Sequence, residues 1–205
     1  MIVGSSRGFS HINLTGKHFE KTGLGTIHLP MIKPERITPR PEADTATELT
    51  HQLVQATRWL RSEYIDGSLP IGLFGAYFDA GIALNAAAFL GEEVGAVVAF
   101  QGRPDRYLNH LDQIQSPTLL VVNDNDKSVL KANAQANWWL RCTHQLALVS
   151  GRSRLLREKS ATQQVNDLAS AWYYRYLLGH HPLKDFPGQL MSKSAAYQIL
   201  SVSFQ

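Results

Sequence analysis

Leu69-Pro70-Ile71-Gly72-Leu73-Phe74-Gly75-Ala76-Tyr77-Phe78-Asp79-Ala80-Gly81-Ile82-Ala83-Leu84 is the stretch whose reading decides the fold. Ile71 to Phe74 is a short apolar run of strand length, and Ala80 to about Leu90 follows as a helix of small residues. Between them, Gly75-Ala76-Tyr77-Phe78-Asp79 must turn the chain from strand to helix in very few residues. A turn that sharp needs small side chains where strand and helix approach each other.

The same rhythm continues on both sides. Upstream, Gly25 to Leu29 reads as a strand, and the Pro-rich stretch 30–41 as loop, because repeated proline blocks helix and ladder hydrogen bonds alike. Thr45 with Glu48 forms a capping-box signature, after which Leu49, Leu53, Ala56 and Leu60 lay one buried stripe to about Ser62. Downstream come a strand Ala96 to Phe100, a loop Gly102-Arg103-Pro104-Asp105, a strand Thr118 to Val122, a helix Val129 to Leu140, a strand Gln145 to Val149 and a helix from about Ser160. The last helix carries Val165, Leu168, Trp172 and Tyr176 on one face. Alternating strands and crossover helices predict an α/β domain with a mostly parallel sheet and helices on both faces.

Composition sets the outer bounds. With 205 residues and a formal charge of +3, the chain is long enough for one domain with a sizeable core. The basic residues are spread out, so a nucleic-acid or membrane arm is not expected. The single cysteine, Cys142, excludes an intramolecular disulfide, and there is no apolar span of about 20 residues. The expectation is a cytoplasmic protein without a membrane span.

The stretch from Leu69 to Leu84, together with Gly95 to Asp105 and Ser116 to Asp126, resembles the small dienelactone-hydrolase-like members of the α/β-hydrolase superfamily. The likeness runs over residues 4–178 in the family's own order. It implies an α/β-hydrolase-like domain at 1–178 and a C-terminal extension at 179–205. It also implies a catalytic triad, and two of its three positions are changed. Tyr77 stands where the family places its Ser or Cys nucleophile, and a phenol lacks the reactivity of a serine paired with a base. Asp126 retains the acid position. Arg154, in Gly151-Arg152-Ser153-Arg154, stands where the family has its histidine, and a guanidinium cannot act as a base at neutral pH. A triad works as a unit, so Asp126 alone gives little. Asp126 and Arg154 are expected to pair, and Asp79 reads as a helix N-cap.

The resemblance also implies a central strand before a Gly-Ser-rich loop. Gly4-Ser5-Ser6-Arg7 resembles that loop, yet only three residues precede it, so the N-terminal central strand is expected to be missing. Residues 197–204 have the composition and length to add a strand there; the alternatives are a tail, an added edge strand or a segment docked on a partner.

The remaining residues point away from other chemistry. The histidines are dispersed, and His180-His181 beside a proline reads as a solvated helix end, so no metal and no cofactor are expected. Cys142 reads as a structural thiol. Trp138-Trp139 and Trp172-Tyr173-Tyr174 cannot all face one core, which points to a protein partner or a homo-oligomer. Ser5, Ser6 and Arg152 are candidate ligand contacts around the former cleft, with Arg152 and Arg154 suited to a small anion. The first reading is therefore an α/β-hydrolase-like protein without esterase activity, kept as a binding or assembly component. Two others stay open: an active hydrolase of a small ester or lactone with its site rebuilt around Asp126, and a truncated gene product. The regular pattern of every helix and strand speaks against the latter.

Overall fold

The computed structural model describes residues 2–5, 9–29, 42–63, 69–106, 108–150, 159–179 and 199–200. Among them, seven strands form one sheet in the order β2-β1-β3-β4-β5-β6-β7. The strands are β1 (Ile2–Ser5), β2 (Thr26–Leu29), β3 (Gly72–Ala76), β4 (Ala96–Phe100), β5 (Thr118–Asn123), β6 (His144–Val149) and β7 (Ile199–Leu200). The helices are α1 (Phe9–Lys21), α2 (Glu42–Glu63), α3 (Phe78–Leu90), α4 (Lys127–Trp139) and α5 (Lys159–Leu177). Strands β1 to β6 are parallel, and β7 is antiparallel to β6.

The central strands β3, β4 and β5 are buried along their whole length, as near-continuous apolar runs in a parallel sheet must be. Their side chains alternate between two cores. Leu73, Val97, Ala99, Leu120 and Val122 pack with α2, α3 and α4 on one face. Phe74, Val98, Phe100, Leu119 and Val121 pack with α1 and α5 on the other. Tyr173 anchors the second core: it is fully buried, donates its hydroxyl to Leu73 O at 2.7 Å and meets the Phe19 ring edge-on at 5.6 Å.

Two sequence expectations are corrected. The central strand is present: β1 lies between β2 and β3, with Ile2 to Ser5 in register with Thr26 to Leu29 and with Gly72 to Gly75. A parallel neighbour on each side satisfies the backbone of these four residues, which outweighs the poor strand propensity of Gly4 and Ser5. The described part of the 197–204 segment accordingly does not stand in that place. Its described part, Ile199–Leu200, pairs with Ala147 and Leu146 at the outer edge of β6, one of the alternatives weighed for it. The Pro-rich stretch 30–41 and the His180-His181 pair lie outside the described residues. Helix α1 was not anticipated, and α2 begins at Glu42, ahead of the Thr45 capping box.

Candidate functional site

The parallel sheet brings the ends of β3, β4 and β5 together at one edge, where ligand sites of open α/β sheets form. The turn after β3 is built around Tyr77, whose backbone has φ 58° and ψ −117°. For a residue with a Cβ this costs roughly 1–3 kcal/mol and persists only if the surroundings enforce it. Two contacts do so. Tyr77 N donates to Phe100 O at 2.7 Å, tying the turn to the end of β4. A Cβ on Gly75 would lie 2.3 Å from Asp79 O and 2.8 Å from Ala80 Cα, so only glycine lets strand and helix close on each other.

Ala80 takes the corresponding place on the helix side. A Cβ on Gly102 would come within 2.6 Å of the Ala80 methyl, so the loop after β4 lies directly on the first turn of α3. Asp79 is not the helix cap expected from sequence. The residue before α3 is Tyr77, which makes no side-chain cap, and Asp79 lies buried inside the first turn. The Tyr77–Phe100 tie fixes where the helix starts.

The Tyr77 ring packs edge-on against Phe100, with centroids 5.6 Å apart, and remains 37% exposed. Burial raises its phenol pKa above 10, so at neutral pH the group is an uncharged hydroxyl. That is the reverse of what an activated nucleophile requires.

The neighbouring residue Gln101 was not foreseen from sequence. Its φ is 52°, and it is buried. Its backbone N–H donates to Val121 O at 2.9 Å, and its side-chain Oε1 accepts from Asn123 N at 2.9 Å. It therefore staples the end of β4 to the end of β5. The available signal was a polar residue at the end of an apolar strand, immediately before glycine.

The loop after β5 is spent on its own structure. Asn123 Oδ1 accepts from Asn125 N at 3.0 Å, and Asp124 Oδ2 accepts from Ser150 Oγ at 2.9 Å. Asp126 Oδ1 accepts from Val129 N at 3.2 Å and caps α4. The Asp126 charge also reaches Arg103, whose guanidinium grips Asp105 through Nε at 2.9 Å and a terminal nitrogen at 2.7 Å. The hydrogen bonds that Arg103 donates to Asp105 are the leading cause that raises the Arg103 pKa, and the same bonds hold the Asp105 carboxyl below the usual range.

The structure thus brings Tyr77, Gln101, Arg103, Asp105 and Asp126 to one edge of the sheet. Ser5 ends β1 in register with Gly75. Ser6, Arg152 and Arg154 lie outside the described residues, and with them the expected Asp126–Arg154 pair. Four described histidines have partners elsewhere. His18 lies 3.9 Å from Asp167, His51 and His110 flank the Phe89 ring, and His144 Nδ1 bonds with Cys142 O. Cys142 is half-buried, its Sγ 3.8 Å from Thr118 Oγ1, and burial raises its thiol pKa. Among the described residues, no group of three His, Cys, Asp or Glu could hold a metal ion, and no helix is long and apolar enough to cross a membrane.

No protein-family model matches the chain. Its fold matches the crystal structure of dienelactone hydrolase from Anabaena variabilis ATCC 29413 with a TM-score of 0.76 and 29% identity, over 86% of each chain. It also matches Est1E from Butyrivibrio proteoclasticus, with a TM-score of 0.62 and 13% identity over 82% of this chain and 85% of that one. The Pyrococcus furiosus esterase Pf2001 gives a TM-score of 0.62 and 14% identity over 86% of this chain and 81% of that one. Among curated proteins, the "Putative phosphoribosyl transferase" of two Mycobacterium tuberculosis strains, CDC 1551 / Oshkosh and ATCC 25618 / H37Rv, is 34% identical over 179 residues. The match takes in 87% of this chain, which spans 40% of the length of those relatives.

Proposed function

Because this chain has the dienelactone-hydrolase-like α/β-hydrolase fold, we propose that it is a member of that fold whose esterase chemistry has been lost and which serves as a binding or assembly component. The observation that carries this reading is Tyr77: a neutral, ring-stacked phenol on the strained turn where the resemblance expects an activated nucleophile. Supporting it, Asp126 is engaged as the α4 cap, and the recorded partners of four described imidazoles lie away from the turn. A nucleophile needs a base within hydrogen-bond reach, and acyl transfer fails without both.

The strained turn itself is intact, held by Gly75, Gly102 and the Tyr77–Phe100 bond. A fold that keeps a turn costing roughly 1–3 kcal/mol keeps the shape of the cleft edge after the chemistry. Phosphoribosyl transfer is not carried over from the relatives' name, because this chain spans 40% of their length. The cytoplasm is the compartment that suits the lone, disulfide-free Cys142.

The test is turnover of a panel of short-chain aryl esters and lactones by the folded protein, beside Asp126→Ala. The reading expects no turnover above buffer for either. Turnover that disappears in Asp126→Ala would establish a rebuilt hydrolase site and overturn it.

A further inference from the structure

The contacts around the Tyr77 edge close into a ring. From the elbow, Tyr77 N donates to Phe100 O at 2.7 Å. Beyond Phe100, Gln101 Oε1 accepts from Asn123 N at 2.9 Å, and Asn123 O accepts from Asp126 N at 3.1 Å. Asp126 Oδ1 holds Val129 N in the first turn of α4. One turn further, Asn133 Nδ2 donates to Val129 O and to Gly102 O, both at 2.9 Å. Gly102 returns the path to its start: a Cβ there would lie 2.6 Å from the Ala80 methyl and 3.7 Å from Tyr77 O. The ring thus joins the ends of β3, β4 and β5 to the starts of α3 and α4.

Asn133 is the member of the ring that its own helix does not account for. It is 1% exposed and lies in α4 beside the buried Ala132 and Ala136. Asparagine is a poorer helix former than the alanines around it. Its Oδ1 is buried with no hydrogen-bond partner among the described residues, which carries a desolvation cost. The bond to Val129 O offsets little of this, because a carbonyl four residues back already serves the helix ladder. What remains is the bond to Gly102 O, 31 residues away in sequence.

That bond acts where enforcement is needed. Two residues with a Cβ hold positive φ on this edge, Tyr77 at 58° and Gln101 at 52°, and such conformations persist only where the surroundings over-determine them. Tyr77 is held from the sheet side by Phe100 O and from the helix side by the Gly102 loop lying on Ala80. Asn133 grips that loop by its carbonyl. We propose that Asn133 is a positioning residue for the Tyr77 edge: through Gly102 it keeps the loop after β4 seated on α3, and with it the strained backbone of Tyr77. The edge is then preformed as one unit, in which the elbow and the start of α4 open together. This goes beyond the loss of ester chemistry and does not depend on it, since it concerns what holds the Tyr77 backbone.

The test is amide hydrogen exchange, followed by NMR, in the unsubstituted protein, in Asn133→Leu and in Thr57→Val. Leucine keeps the branched outline of asparagine and removes the donor. Thr57→Val removes a buried side-chain hydrogen bond to Leu53 O inside α2, away from the ring. The rate at the Tyr77 amide is taken relative to Val98 in the middle of β4, so that a general loss of stability cancels. The expected result is a relative rate at Tyr77 that rises at least about tenfold in Asn133→Leu and stays unchanged in Thr57→Val. An unchanged relative rate in Asn133→Leu, or an equal rise in both variants, overturns the positioning role. If Asn133→Leu does not fold, exchange of the unsubstituted protein in low urea decides. The Tyr77, Asn123 and Val129 amides are then expected to share one opening step with one urea dependence, and separate openings overturn the single unit. Ester turnover has no part in this readout, so its outcome and that of the non-catalytic reading are distinguishable.

Discussion

Gly75→Ala tests the elbow where the account is most exposed. The added methyl would lie 2.3 Å from Asp79 O and 2.8 Å from both Asp79 C and Ala80 Cα, all backbone atoms. No side chain can rotate aside to make room, so β3 and α3 must separate within a core where every flanking strand residue is buried. Overpacking of this kind costs about 3 kcal/mol, out of a total stability of about 5–15 kcal/mol. For a chain of this length that lowers Tm by about 6–12 °C. The matched control is Gly25→Ala, where the new methyl meets nothing within 4 Å and is expected to be neutral or slightly stabilising, by up to about 1 kcal/mol. Urea denaturation of both variants gives the two differences, with m unchanged if folding stays two-state. Equal stability of the two variants would refute the claim that strand and helix close on Gly75.

Three other predictions follow from the same geometry. Gln101→Ala removes the side-chain acceptor of the buried Asn123 amide, so stability falls by about 2 kcal/mol. Gln101→Gly should cost less because it relieves the positive φ, and hydrogen exchange at the Asn123 amide should accelerate in both. Asp126→Ala should cost about 1 kcal/mol through loss of the α4 cap, and Asp126→Ser only a few tenths; chemical denaturation of the pair decides, and equal losses would remove the cap account. His18, half-buried between α1 and α5, has its pKa lowered from 6.5 chiefly by burial, opposed by Asp167. The unfolded chain therefore binds more protons than the folded one in this range. The stability tied to neutral His18 is present above pH 6.5 and is lost as the pH falls through its folded value. Asp167, raised from 3.8 chiefly by its own burial, has the opposite sign: its contribution is present below pH 3.8 and is lost as the pH rises through its folded value. His18→Gln should flatten the stability profile just below pH 6.5, and a profile as steep as that of the unsubstituted protein would count against the assignment.

The sheet from β3 to β6 was legible because buried parallel strands leave near-continuous apolar runs such as Ala96 to Phe100. Tyr77 was legible as the turn residue because Gly75 and the small residues of α3 bracket it. Four-residue β1 was not: Gly4 and Ser5 are poor strand formers, and their conformation comes from β2 and β3 on either side. The start of α3 misled in the same way. Asp79 has cap chemistry, but a hydrogen bond between residues 77 and 100 sets the boundary, and no local pattern announces a bond that long in sequence. Gln101 was hidden for this reason too, since its role exists only once β4 and β5 are neighbours. Helix α1 carries Gly16 in its interior, a residue that weakens a helical reading, and its contacts with α5, such as Phe19 with Tyr173 and the Tyr174 hydroxyl on Thr22 O, are all tertiary.

The central claim is that the residue on the elbow does no covalent chemistry. Its most direct test is peptide-resolved mass spectrometry of the protein after brief exposure to an activated aryl acetate, comparing acylation of Tyr77 with that of Tyr176, a tyrosine on α5 well removed from the turn in sequence. The account predicts that Tyr77, a neutral phenol, is acylated no faster than Tyr176. Rapid stoichiometric acylation of Tyr77, followed by deacylation that returns the unmodified protein, would contradict it and make this chain an enzyme.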